Sequence, residues 1–204
     1  TKTVIWGLIL VCVCSFSVLL SLGSDVYREA PPLPQQVITS DGDVVFTYAN
    51  IDQGQLAWRS MGGHQLGSIW GHGSYVAPDW TADWIHREAQ AWLNDAATEE
   101  HGMTFVGLTA AQRAALEQKL RDDIRPHSYD PETNTITISP RRAAAIKEVS
   151  AHYVSLFGDD AATQQLRENY AMKNNTLNSV ERRENLAAFV FWTAWAAVTE
   201  RPDS

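Results

Sequence analysis

Cysteine is almost missing from this 204-residue chain: Cys12 and Cys14 stand two apart inside an apolar run, and no other thiol follows. That excludes a disulfide framework and a thiolate metal site in everything after the run. Basic residues are also scarce, 16 Lys+Arg against 24 Asp+Glu for a formal charge of −8. A grip on phosphate backbones or anionic headgroups is therefore excluded as the main function, and nucleic acid is not an expected partner. There is no Gly-x-Ser-x-Gly elbow, no phosphate loop and no dinucleotide fingerprint, since Gly71-x-Gly73 lacks the third glycine. His64, His72 and His86 match no zinc spacing, and no cysteine completes a tetrahedron. Asp79 and Asp83 fall in the first turns of a predicted helix, where cap and dipole account for them without acid–base chemistry with Glu88. No internal repeat or low-complexity segment occurs.

One long apolar run is present. Val4 to Leu22 carries no charge, about 28 Å of helix at about 1.5 Å per residue, close to the thickness of a bilayer core. The expectation is a transmembrane anchor over 4–22. A cleaved signal peptide is the competing reading, with Ser21 and Gly23 as a loose cleavage site. Neither cysteine follows the small residue that lipoprotein acylation requires, so both read as small apolar residues within the span. Lys2 before the span and Asp25, Arg28 and Glu29 after it place the amino terminus inside. Ala30-Pro31-Pro32-Leu33-Pro34 then reads as a stiff spacer, giving a linker over 23–35 and a soluble domain over 36–204.

Within that domain, Val37–Thr39 and Val44–Thr47 flank Ser40-Asp41-Gly42-Asp43, a hairpin with its turn at Asp-Gly. A second hairpin is expected around Tyr129 and Thr135–Ile138. The rest reads as helix. Asn50 with Gln53 opens one, Asp79 to about Ala97 makes the next, and Thr109 with Gln112 opens a third with Leu116, Leu120 and Ile124 on one face. Ser139-Pro140 starts a fourth, Asp159 or Asp160 a fifth, and Asn178 with Glu181 the last, an amphipathic helix carrying FVFWTAWAAV. The fold class is mainly α with small β-hairpins, preceded by one membrane helix. Four of eight tryptophans, Trp58, Trp70, Trp80 and Trp84, cluster in sequence, and a packed aromatic core is the expected use of them.

The stretch from Asn50 to Trp84, NIDQGQLAWRSMGGHQLGSIWGHGSYVAPDWTADW, has a capped helix with Gly54 and Trp58, a break, and then Gly71-x-Gly73-x-Tyr75-x-Ala77-Pro78. This arrangement resembles the cytochrome c subunit of bacterial nitric oxide reductases, where a helix ending in Trp leads to Cys-x-x-Cys-His and a Gly-x-Gly-Ala-Tyr-x-Ala-Pro loop. In that register Gly63, Leu66 and Gly67 stand where the two cysteines and the haem-ligating histidine belong, so the attachment motif is erased and His64 is out of place. Met172, in Asn169-Tyr170-Ala171-Met172-Lys173-Asn174, stands where the second axial ligand belongs and otherwise reads as a gap-filling core methionine. One anchor, a Pro-rich spacer and a cytochrome-c-like domain without haem together resemble the amino-terminal region of the quinol-dependent nitric oxide reductases, in which the cytochrome part is fused to the catalytic one.

The resemblance implies an enzyme that reduces two nitric oxide molecules to nitrous oxide, using a low-spin haem b, a high-spin haem b and a non-haem iron in a multi-helix membrane bundle. Val4 to Leu22 has no His, Asp, Glu or Met, so this chain alone is expected to hold none of these cofactors and to be inactive. Its expected partners are that haem-b bundle, fused or associated, the quinol served there, and the membrane. The expected location is the bacterial inner membrane with the domain facing the periplasm. By the same resemblance, the backbone carbonyls of Gly73 and Tyr75 help to ligate a calcium, with a glutamate and haem propionates of the catalytic part; Gly71 and Gly73 read equally well as a plain positive-φ turn. The role implied is structural. A second reading keeps the chain as a membrane-anchored binding module acting alone, with an aromatic pocket for a small ligand or partner protein. A filled former haem space favours the first, an open aromatic pocket the second.

Overall fold

The apolar run forms helix α1 (Lys2–Arg28) in the computed structural model, which describes residues 2–28 and 30–200. The helix continues beyond Leu22 through Arg28, so the opening of the expected linker is helical. None of its residues is buried within the chain, and it is long and apolar enough to cross a membrane. The chain divides between Pro32 and Leu33 into two units. Glu29 of the expected flank and residues 201–204 of the expected domain lie outside the described residues.

The second unit begins with β1 (Gln36–Thr39) and β2 (Val44–Thr47), followed by α2 (Tyr48–Ser60), β3 (Ser68–Ile69), β4 (His72–Gly73), α3 (Trp80–His101) and α4 (Ala110–Ile124). β5 (Tyr129–Asp130), β6 (Thr135–Ile138), α5 (Pro140–Leu156), α6 (Gln164–Asn169) and α7 (Val180–Val198) complete it. The two expected hairpins are not separate. β1 pairs in parallel with β6, Val37 opposite Ile136, giving one sheet of order β2-β1-β6-β5. Val37 and Ile136 are both fully buried, a burial that isolated two-stranded hairpins could not achieve.

Caps follow the local chemistry with two corrections. α2 opens at Thr47, whose hydroxyl and Asn50 form a reciprocal capping box, rather than at Asn50 with Gln53. Thr47 still has the extended backbone of β2, and that lets its oxygen reach the first-turn amides. α7 starts after Ser179, not Asn178, with no side-chain cap. Thr109 with Gln112 and Ser139 with Pro140 cap α4 and α5 as the sequence predicts. Asp79 caps α3, which runs past Ala97 to a left-handed Gly102. Asp160 caps a short 3-10 turn, Ala161–Thr163, that leads into α6.

α7 is the centre of the unit. From Asn185 to Trp195 every residue is buried, so its middle is buried all round rather than amphipathic. It packs against α2, α3 and α5. Gly54 of α2 touches the Asn185 carbonyl and the Phe189 Cβ so closely that any side chain there would collide with both, and Asn50 donates to the Asn185 side chain at 2.9 Å beside it. A satellite core lies between α3 and α4, built on Trp92, Leu116 and Leu120, with the Trp92 indole on Asp123 at 2.7 Å.

One ion pair sits inside the main core. Arg142 Nε donates to Glu88 at 2.7 Å, Trp84 donates to the other Glu88 oxygen at 2.8 Å, and the guanidinium lies 5.8 Å over the Phe191 ring. Such a pair contributes little net against an apolar replacement, but removing one partner strands a buried charge. Glu88→Ala is therefore expected to lower unfolding free energy by about 3–5 kcal/mol, read from a denaturant transition followed by tryptophan fluorescence.

Candidate functional site

The segment between α2 and α3 has regular structure that the sequence pattern did not reveal. A 3-10 turn at Gly63–Gln65 leads into the β3–β4 hairpin, with Ser68 paired to Gly73 and Ile69 to His72. Gly73 lies at φ +145°, and a Cβ there would run into Gly67 and Ser68 backbone, so no other residue fits the hairpin. The hairpin is tied to α3 by Asp79. One carboxylate oxygen accepts from Ser68 Oγ and the Gly71 amide, each at 2.6 Å, and the other accepts from the Ala82 amide at 3.0 Å. Asp79 is thus a loop clamp as well as the expected cap. Burial pushes its carboxyl up, but the hydrogen bonds from Ser68, Gly71, Ala82 and Thr81 together outweigh that and hold it below the usual value of 3.8.

Gly63, Leu66 and Gly67, the positions that the resemblance assigns to haem attachment, lie on this turn and its exit. Gly63 is buried at φ +52°, Leu66 is half-buried against the main core, and Gly67 is buried at φ +86°. Trp80 stands against them. Its indole N–H donates to the Leu66 carbonyl at 2.7 Å, and a Cβ on Gly67 would strike the same indole nitrogen and the Pro78 carbonyl. Trp80 is fully buried and surrounded by Phe157 at 5.1 Å, Tyr153 at 5.9 Å and Tyr170 at 6.0 Å between ring centroids. The Tyr153 hydroxyl has the Trp80 carbonyl at 3.2 Å and Asp83 at 3.1 Å as acceptors. Burial, with the Asp83 carboxylate alongside, pushes the Tyr153 phenol far up, so it remains a donor.

Met172 belongs to the same buried cluster, 7% exposed. The segment carrying it is held by two buried arginines. Arg167 donates to the carbonyls of Ser155 at 3.2 Å and Asp160 at 2.7 Å, to Thr163 at 2.6 Å and to Asn174 at 2.9 Å. Arg183 donates to the Leu177 carbonyl at 2.6 Å and to Asn175 at 2.8 Å. Nothing in the sequence pattern singled these two out, because a buried arginine satisfied by carbonyls has no spacing signature.

Gly73 ends β4 at the base of the hairpin and Tyr75 lies two residues beyond it, both exposed, Tyr75 at 92%. Asp79 is the only acidic residue from Leu66 to Asp79, and both its oxygens are engaged. The loop therefore offers a cation only neutral oxygens, backbone carbonyls and hydroxyls. That suits a partial share in a calcium shell, which takes 6–8 oxygens including carboxylates. No group of three or more His, Cys, Asp or Glu that could hold a metal occurs among the described residues. His64 is exposed with Nδ1 on the His72 carbonyl at 2.6 Å.

A helical domain built on packed α2 and α7, with a turn after α2, a Gly-x-Gly-x-Tyr hairpin and a buried methionine segment before α7, is a cytochrome-c-like domain without the thiols for a covalent haem. A family model for the NorB cytochrome c-like domain of nitric oxide reductase matches residues 34–204. The chain belongs to that family, and the anchor helix precedes the matched region. A comparison with curated proteins gives no match.

Because Asp79 is more acidic when folded, its share of stability is fully present above about 3.8, the value it has when unfolded, and is lost as pH falls through its lower folded value. The unfolding free energy of Asp79→Asn is expected to fall less than that of the parent between about pH 4 and pH 2, measured by denaturant titration at each pH.

Proposed function

We propose that this chain is the non-catalytic, periplasm-facing portion of a quinol-dependent nitric oxide reductase, capping the membrane bundle that reduces nitric oxide to nitrous oxide. The observation that supports this reading is Trp80 seated against Leu66 and Gly67, two of the positions that the resemblance assigns to haem attachment. Electrons then come from quinol within the membrane, and this domain passes none. Met172 is a core side chain in this reading, not a ligand.

The hairpin is the part that faces the catalytic bundle. Tyr75 and Val76 follow it as exposed side chains, while Asp79 ties the hairpin to α3. The carbonyls of Gly73 and Tyr75 supply two neutral ligands to a calcium whose carboxylates come from the catalytic part and its haem propionates. The domain is anchored by α1 in the inner membrane with its amino terminus inside.

Two measurements on material produced alongside a cytochrome c maturation system test this. The 204-residue chain is expected to have unmodified mass and no c-type absorption band. A natural product extending into histidine-bearing membrane helices is expected to be red, to consume nitric oxide, and to lose activity on chelation of calcium. A colourless natural product ending near Ser204 would support the stand-alone binding module instead.

A further inference from the structure

Beside the filled Trp80 cluster, between the hairpin, α2 and α7, lies an open cleft of about 480 Å³, within the size range of small-molecule sites. Its walls are apolar rings from these elements: Trp58, Trp70, Phe189 and Trp192, with Ile69. Trp70 is the unusual one. It is 43% exposed and its backbone sits at φ +52°, a conformation that a bulky residue rarely adopts. Three bonds hold it there. Its amide donates to Thr81 Oγ1 at 3.3 Å, its indole N–H to the Thr193 carbonyl at 2.9 Å, and the next amide, Gly71, to Asp79. With the indole N–H engaged on α7, Trp70 presents a ring face, tilted at 55° and 5.7 Å from Trp192. The positive φ is the one a two-residue hairpin turn requires, Trp70 and Gly71 joining β3 to β4, and the turn holds the Trp70 ring on the cleft wall.

The rim has the opposite character. Arg59 lines the cleft, is exposed, and forms no ion pair among the described residues. In a chain of net charge −8, Arg59 thus gives the cleft a cationic wall group. A free guanidinium at the edge of an aromatic cleft matches a planar carboxylate, which it can bind through two parallel N–H bonds.

We propose that this cleft binds a ring-bearing organic anion, an aromatic carboxylate, with its ring on the Trp70 and Trp192 faces and its carboxylate on Arg59. The cleft is the kind of open aromatic pocket expected of a binding module, but it lies beside the Trp80 cluster and not in its place, so the site stands whether or not the domain caps a catalytic bundle.

The test uses the 204-residue chain in phosphatidylcholine nanodiscs, titrated calorimetrically with 2-naphthoate and with the uncharged 2-naphthylmethanol, empty nanodiscs serving as the reference. Saturable one-to-one binding of 2-naphthoate is expected, tighter than that of the alcohol by about tenfold or more. Arg59→Gln, a surface change remote from the core, is expected to bring the acid down to the affinity of the alcohol, and Trp70→Ala to weaken both. The proposal is overturned if 2-naphthoate gives no saturable heat, if acid and alcohol bind equally to the parent chain, or if Arg59→Gln leaves the difference intact. None of these outcomes bears on whether covalent haem is absent, so this inference and the proposed function fail separately.

Discussion

The contact between the Trp80 indole and the turn at Leu66 and Gly67 is the constraint on which the rest of the unit depends. A cytochrome-c-like arrangement of helices surrounds a space normally occupied by a flat, rigid group. Without that group the space must collapse or be filled, because a void forfeits dispersion contacts on every wall. In the proposed reading a fully buried tryptophan, Trp80, takes that space; the rings of Tyr153, Phe157 and Tyr170 close round its indole. The same contact requires glycine at 67, since the left-handed backbone and the indole together leave no room for a side chain.

Polar groups then do what ligation would otherwise do. The segment of Met172 is fixed by Arg167 and Arg183, whose guanidinium protons are matched mostly to carbonyl and amide oxygens. The hairpin after α2 is fixed by one carboxylate, Asp79, that gathers three donors. Both devices hold irregular backbone, where secondary structure supplies few hydrogen bonds of its own. They leave an exposed hairpin of fixed shape, the feature a docking surface needs, and an aromatic cleft beside it that remains open.

Much of this was legible from residue patterns because it is local. Thr109 with Gln112, Ser139 with Pro140, and Asp41-Gly42 each carry their own geometry within four residues. The apolar run at Val4 to Leu22 was equally plain from composition. What the pattern missed is long-range. The parallel β1–β6 pairing joins residues about a hundred positions apart, and nothing in either hairpin announces it. The all-round burial of α7 reads as amphipathic in sequence because Asn185, Thr193 and Arg183 look like a polar face, yet each is buried against a specific partner. The role of Trp80 was visible only as one tryptophan among eight, since sequence cannot say which ring enters which space.

The most direct test of the account restores what was lost. The triple variant Gly63→Cys, Leu66→Cys, Gly67→His, produced with a cytochrome c maturation system and measured by intact mass and visible absorption, is expected to yield folded chain without haem while Trp80 is present. The same variant with Trp80→Ala added is expected to acquire a covalent haem in at least part of the material. Stoichiometric haem on the triple variant with Trp80 intact would contradict the claim that this side chain occupies the space.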